Sequence, residues 1–212
     1  MAAKTIHLFI KTAYSVFLKN RAAGCLIPVL LIPMIPLLSG CTATPQPRIY
    51  HLGISEPPVQ KNERTHILVI ETTSLPRHLD RPQLVTRNSE TEIIIHERDR
   101  WAAPLDRLFR ESLSARLDRG LPGFRVIPVD ISNVYAGGEL RIRIQILDFS
   151  SDIKGNIRLA GIFGFVHKTK EEKEKSFDFN VMAENTSPAA LIAAHGKALD
   201  MLAEKIMEQV HP

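Results

Sequence analysis

Cys41 closes a Leu38-Ser39-Gly40-Cys41 run at the end of an apolar stretch, and that run decides which part of the chain has to fold. A cysteine just after two small residues reads as a lipid acceptor: diacylglycerol on its sulfur, cleavage at its amino side, and an acyl chain on the new N-terminus. Such an anchor is far stronger than one acyl chain, which holds a protein only marginally and reversibly. Ahead of it, residues 1–40 carry Lys4, Lys11, Lys19 and Arg21 and no acid, and the stretch from Ala22 to Leu38 is uncharged. A basic start, an apolar centre and a small-residue cleavage site make residues 1–40 a lipoprotein signal peptide. The apolar run is short for a membrane span. Pro28, Pro33 and Pro36 also argue against a spanning helix, each removing a backbone donor. Ala22-Ala23-Gly24-Cys25 has a similar form, but Lys19 and Arg21 stand directly before it and leave it no apolar run. Cys41 is therefore the expected acceptor.

Removing that signal changes the charge balance. Four of the 27 bases lie in residues 1–40, which leaves 23 bases against 23 acids. The basic character of the whole chain belongs to the export signal and gives no reason to expect nucleic acid as a partner. The 172 residues left of 212 are enough for one domain with a real core. Cys41 is the only cysteine among them, so no internal disulfide supports that core.

Residues 41–47 read as a tether. Its six residues after the cysteine, TATPQP, reach roughly 20 Å when extended, which keeps the body close to its membrane. Residues 48–212 read as a single α+β domain. Arg48–Ile54 and His66–Thr72 are predicted strands, and Leu75–Arg81 is irregular. Gln83–Arg87 and Glu92–Arg98 form a predicted hairpin. Leu105, Leu108, Phe109, Leu113 and Leu117 share one helical face, which predicts a helix over Ala102–Arg119 with Pro104 in its first turn. A short strand at Phe124–Pro128 follows. Leu140, Ile142, Ile144 and Ile146 alternate with Arg141, Arg143 and Gln145, so Leu140–Phe149 is a half-buried strand; the phase shift at Leu147 implies a bulge. Ile157–Val166 and Phe177–Ala183 extend this to a meander, with the charged turn Lys170–Lys175 as a solvated tip. The last predicted helix spans Pro188–Val210, with Ser187 as its N-cap. The architecture expected is α+β: a mainly antiparallel sheet with two helices packed on one face.

Catalytic signatures are absent: there is no Gly-x-Ser-x-Gly, no phosphate-binding loop and no His-Glu-x-x-His. Asp148 and Asp152 stand at a strand end, where turn chemistry explains them. No two histidines of the mature chain are spaced as metal ligands, and His195, on an apolar helical face, reads as a hydrogen-bonded core residue. The expectation is a chain that is not an enzyme, with no metal and no cofactor beyond the lipid on Cys41. Asp80 to Val85 and Asp99 to Asp106 are informative for binding instead. Arg81, Pro82, Val85 and Trp101 are the candidate partner-contact residues. Trp101, the sole tryptophan, has two readings. It staples the helix that follows to the sheet, the preferred reading for a large aromatic. Alternatively it lies near a partner surface, where Trp and Arg dominate.

At these residues the chain resembles the PqiC/YmbA-type auxiliary lipoproteins associated with ABC-type and MCE-domain transport systems. The resemblance rests on Leu38-Ser39-Gly40-Cys41, Tyr50-His51-Leu52, Ile67-Leu68-Val69-Ile70, Leu79 through Val85, Trp101-Ala102-Ala103-Pro104-Leu105-Asp106, Leu121-Pro122-Gly123, and Ile146-Leu147-Asp148-Phe149 leading to Lys154-Gly155-Asn156-Ile157. One departure is Ile162-Phe163-Gly164-Phe165, where the family pattern suggests a tryptophan.

That resemblance implies a non-enzymatic periplasmic lipoprotein on the inner leaflet of the outer membrane. It would work beside an inner-membrane MCE-domain protein that moves lipid across the envelope, with a homo-oligomer as a further expectation. Thr42, rather than aspartate, after the lipidated cysteine implies the outer membrane by the bacterial sorting rule. The hairpin Gln83–Arg98 or an open sheet edge is where a partner would meet the domain, by strand addition. Two alternatives remain at this point. One is a lipid carrier with a groove lined by Ile162, Phe163, Phe165 and the helical stripes. The other is an assembly factor for another envelope machine.

Overall fold

The computed structural model describes residues 45–53, 66–128, 140–167, 170–171 and 174–210. The signal peptide, Cys41, Thr42, the loop 55–64 and part of the charged turn lie outside the described residues. Among those described, the order is β1 (Arg48–Tyr50), β2 (His66–Ser74), a 3-10 turn (Arg77–Leu79), β3 (Gln83–Arg87), β4 (Ile93–Trp101), α1 (Leu105–Gly120), β5 (Phe124–Pro128), β6 (Leu140–Asp152), β7 (Asn156–His167), β8 (Lys170–Glu171), β9 (Lys175–Met182) and α2 (Pro188–Met207).

The strands form one sheet that branches at β6. One edge of β6 pairs along its whole length with β7, antiparallel, and β7 pairs antiparallel with β9. These are the longest ladders, so the sheet is mainly antiparallel. The other edge of β6 is shared. Leu140–Gln145 run parallel to β2, and Ser151–Asp152 run parallel to the end of β3. β2 is flanked on its far side by β5, also parallel. β3 and β4 make the antiparallel hairpin, and β1 adds to the far end of β4, Arg48 opposite Asp99 and Tyr50 opposite Trp101. The bulge anticipated at Leu147 is present as a register shift between Ile146 and Asp148.

Alternation sorts the two faces of this sheet. Ile142, Ile144, Ile146 and Phe149 of β6 point the same way as Ile157, Leu159, Phe163 and Phe165 of β7 and join one buried core. Both helices cover that face. Leu105, Leu108, Phe109, Leu113 and Leu117 of α1, and Leu191, Leu199, Leu202 and Ile206 of α2, recur every third or fourth residue and are buried. Each such side chain contributes roughly 1.5–3 kcal/mol through burial. Arg143 and Gln145 face out on the opposite side.

The helix starts differ from each other for a physical reason. α2 begins as the sequence reads: Ser187 Oγ accepts from the Ala190 amide at 3.3 Å. α1 begins three residues later than expected, with Pro104 in the extended cap position (φ −49°, ψ 134°) rather than in the first turn. The Ala102 amide is already spent on the Tyr50 carbonyl at 2.8 Å. Ala103 precedes a proline, which disfavours helical backbone there. At its other end α2 stops at Met207, and Val210 is reached through a turn.

Candidate functional site

The four candidate contact residues converge on the base of the β3–β4 hairpin, but half of them are inside. Trp101 and Val85 are each 6% exposed. As partner-contact residues both are corrected to core residues. Pro82 is exposed. Arg81 is half-buried, with its Nε buried and lacking a hydrogen-bond partner. The Trp101 amide donates to the Pro82 carbonyl at 2.7 Å, which closes the base of the hairpin.

Trp101 does act as a staple, although its aromatic partner is on α2 rather than on the helix that follows it. Its ring meets His195 edge-on at 6.1 Å, and His195 meets Phe149 of β6 at 4.7 Å. Nδ1–H of His195 donates to the Leu191 carbonyl at 2.8 Å. Burial pushes the imidazole down to about 4, against the backbone hydrogen bonds of Leu191 and Phe149, which favour the charged form. His195 is thus a neutral core residue that ties β4, β6 and α2 together, as its position on the apolar face indicates. The two aspartates are likewise structural. Asp152 Oδ1 accepts from the Lys154 and Asn156 amides, both at 2.8 Å, and organises the β6–β7 turn around Gly155 (φ 90°). Asp148 pairs with Arg87 at 3.4 Å and Arg158 at 3.6 Å. Among the described residues no group of three His, Cys, Asp or Glu side chains is placed to hold a metal ion.

Sequence reasoning missed a clamp at the start of β1. Arg48 is the first residue of β1, and its guanidinium meets the buried Asp99 carboxylate at 2.7 Å and 3.0 Å. The Tyr50 hydroxyl donates to the same carboxylate at 3.0 Å. Burial and that carboxylate push the Tyr50 phenol above its ordinary range. The available signal was the alternation Arg48-x-Tyr50, which puts both side chains on one face of a strand; their shared partner is 49 to 51 positions away.

The other end of the hairpin is apolar and exposed. Ile93, Ile94 and Ile95 are 41%, 40% and 37% exposed. Register places Ile93 and Ile95 on the face of Arg87 and Val85, and Ile94 on the face of Thr86. The residues that a carrier would use to line a groove behave otherwise. Phe163 and Phe165 are buried in the core and pack edge-on at 5.9 Å, with Phe177 6.2 Å from Phe163.

Comparison with known proteins fits this arrangement. Intermembrane transport lipoprotein PqiC of Escherichia coli strain K12 is 24% identical over 127 residues, 58% of this chain and 66% of that protein. The protein of the same name from Shigella flexneri matches equally. The match thus takes in just under two thirds of those relatives. Two crystal structures share the fold. One, of an uncharacterized protein, superposes with a TM-score of 0.66 at 17% identity, covering 79% of this chain and all of the other. The second, protein XCC0632 from Xanthomonas campestris, gives 0.57 at 19% identity, covering 76% and 92%. The family model for the ABC-type transport auxiliary lipoprotein component matches residues 50–207, from the clamp tyrosine of β1 to the last residue of α2. The chain belongs to that family.

Proposed function

We propose that this protein is a lipid-anchored docking component of an intermembrane lipid transport system, held by Cys41 on the periplasmic face of the outer membrane. It is not an enzyme; it binds an inner-membrane MCE-domain protein and supports envelope integrity, as a homo-oligomer around the transport path. The observation that carries this reading is the family match over residues 50–207. The filled core favours docking over carrying, because the aromatic residues assigned to a lipid groove pack on each other. Residues 1–40 are the signal, residues 41–47 the tether, and residues 48–212 the body that meets the partner.

Deletion of the gene in a strain that also lacks parallel lipid transport systems should lower tolerance to detergent. Full-length protein should restore it, and Cys41→Ser should not. Wild-type tolerance in the deletion strain would sink the proposal. Membrane fractionation should find the parent chain with the outer membrane and the Cys41→Ser chain elsewhere. Native mass spectrometry of the unlipidated body separates the carrier reading, which requires co-purified phospholipid.

A further inference from the structure

We infer that the outer edge of β4 over Ile93–His96 is a strand-addition site for an extended segment of another protein, aliphatic at alternating positions and basic at one end. A free sheet edge invites pairing, and proteins blunt such edges with brevity, proline, lysine or a covering element. The other edges here are managed in this way. β1 is three residues long and clamped through Arg48. β5 closes on Pro128 and exposes Arg125. β9 is covered at one end by α2, where Lys205 Nζ donates to the Ser176 carbonyl at 2.9 Å.

None of those devices protects β4 over Ile93–His96; the bulge between His96 and Arg100 and the charged Glu97 and Arg98 lie beyond that stretch. Residues 93–98 contain neither proline nor lysine. β1 pairs only with Asp99–Trp101, and among the described residues no strand pairs with the outer edge of Ile93–His96. The three isoleucines lie on both faces of the strand, so an added strand finds aliphatic neighbours whichever way its side chains point. Charge narrows the occupant. From Glu90 to Glu97 every charged side chain is a carboxylate, at Glu90, Glu92 and Glu97, all exposed. His96 is engaged with Thr86 Oγ1 at 2.7 Å. Glu90 and Glu92 at the turn end complement a segment with Lys or Arg at the end that meets them and repel an acidic one there, while at the other end the exposed Arg98 follows Glu97. The acidic turn Asn88–Glu92 also disfavours burial of this tip in a bilayer.

The test is a photo-crosslinking residue, benzoylphenylalanine, in place of Ile94 in the full-length anchored chain in its own envelope, with the adduct peptide sequenced. The expected adduct is one recurrent segment of a different protein, aliphatic at alternate positions with Lys or Arg at an end. Its yield should drop about ten-fold or more in an Ile93→Lys, Ile95→Lys chain, and clearly with Glu92→Lys, which sits in the exposed turn and serves if the double variant does not fold. Adducts to a second copy of this chain, to phospholipid or to many unrelated peptides, no adduct, or a yield indifferent to Glu92→Lys would each overturn it. The site is argued from the sheet edge and its charges. A partner outside any transport system would therefore leave it standing while counting against the proposed function.

Discussion

Gly161 lies in the middle of β7, opposite Ile146 where the β6 bulge begins. A methyl group there would run into the Gln145 carbonyl oxygen and the Phe177 ring. The backbone oxygen has nowhere to go, so Gly161→Ala should destabilise the fold by about 1–3 kcal/mol, seen as a lower urea midpoint with an unchanged slope. An unaltered midpoint would mean that β7 has slack the packing does not show. His195 predicts a pH dependence. The unfolded imidazole titrates near 6.5, while the buried one stays neutral down to about 4. Between those values the unfolded chain binds the extra proton, so stability is full above 6.5 and declines as pH falls toward 4, by roughly 3 kcal/mol. The depressed carboxyls of Asp152 and Asp178 add their own loss only at lower pH, below their ordinary 3.8. Urea unfolding at pH 7 and 4.5 should show that decline in the parent and a flatter profile in His195→Leu; parallel profiles would remove His195 as the cause.

Element boundaries show which local rules governed and which were overridden. Ser187→Ala should cost about 1 kcal/mol through the lost cap to the Ala190 amide, and Ser187→Asp should recover it; thermal denaturation of the two variants is the check. That cap, the bulge at Leu147 and both helical stripes were legible because neighbours in sequence decide them. The late start of α1 was not foreseen, although Ala103 before Pro104 is a local trace of it; the bond from the Ala102 amide to the Tyr50 carbonyl joins distant parts of the chain. Nor were the parallel pairings of β2 foreseen. Their trace is the unbroken buried run Leu68-Val69-Ile70, typical of a strand covered on both faces. At the candidate site, Arg81 and Pro82 lie at the hairpin base and outside the core. Val85, read as a contact residue, lies in the core; for Trp101 the preferred reading as a staple holds, but spacing alone does not reveal that its partner is His195, 94 positions away in the chain. The hairpin Gln83–Arg98 was read as a meeting place for a partner, but the exposure of Ile93–Ile95 within it was not legible, because burial of consecutive isoleucines depends on which strands flank them.

At the scale of the whole molecule, the sheet holds β1 and the hairpin through one strand, β4, with the clamp at one end and the apolar edge at the other. Asp99→Ala removes the partner of both Arg48 and Tyr50. The Ala102 amide, bonded to Tyr50, should then exchange with solvent about ten-fold faster or more, while amides of central β6 such as Ile142 change little. Equal acceleration at both places would show that the carboxylate supports the entire fold rather than the docking of β1. The orientation of that short strand has a mechanical consequence. β1 runs parallel to β4, and residues 45–47 join it at its Arg48 end. A pull applied at Arg48 along the axis of β1 acts on that pairing lengthwise. It loads the β1–β4 hydrogen bonds together, in shear, instead of peeling them one at a time. The Arg48–Asp99 pair sits at the point where that load enters and takes it first. A force entering at residues 45–47 thus meets the three-residue β1–β4 seam before the longer β6–β7 and β7–β9 ladders.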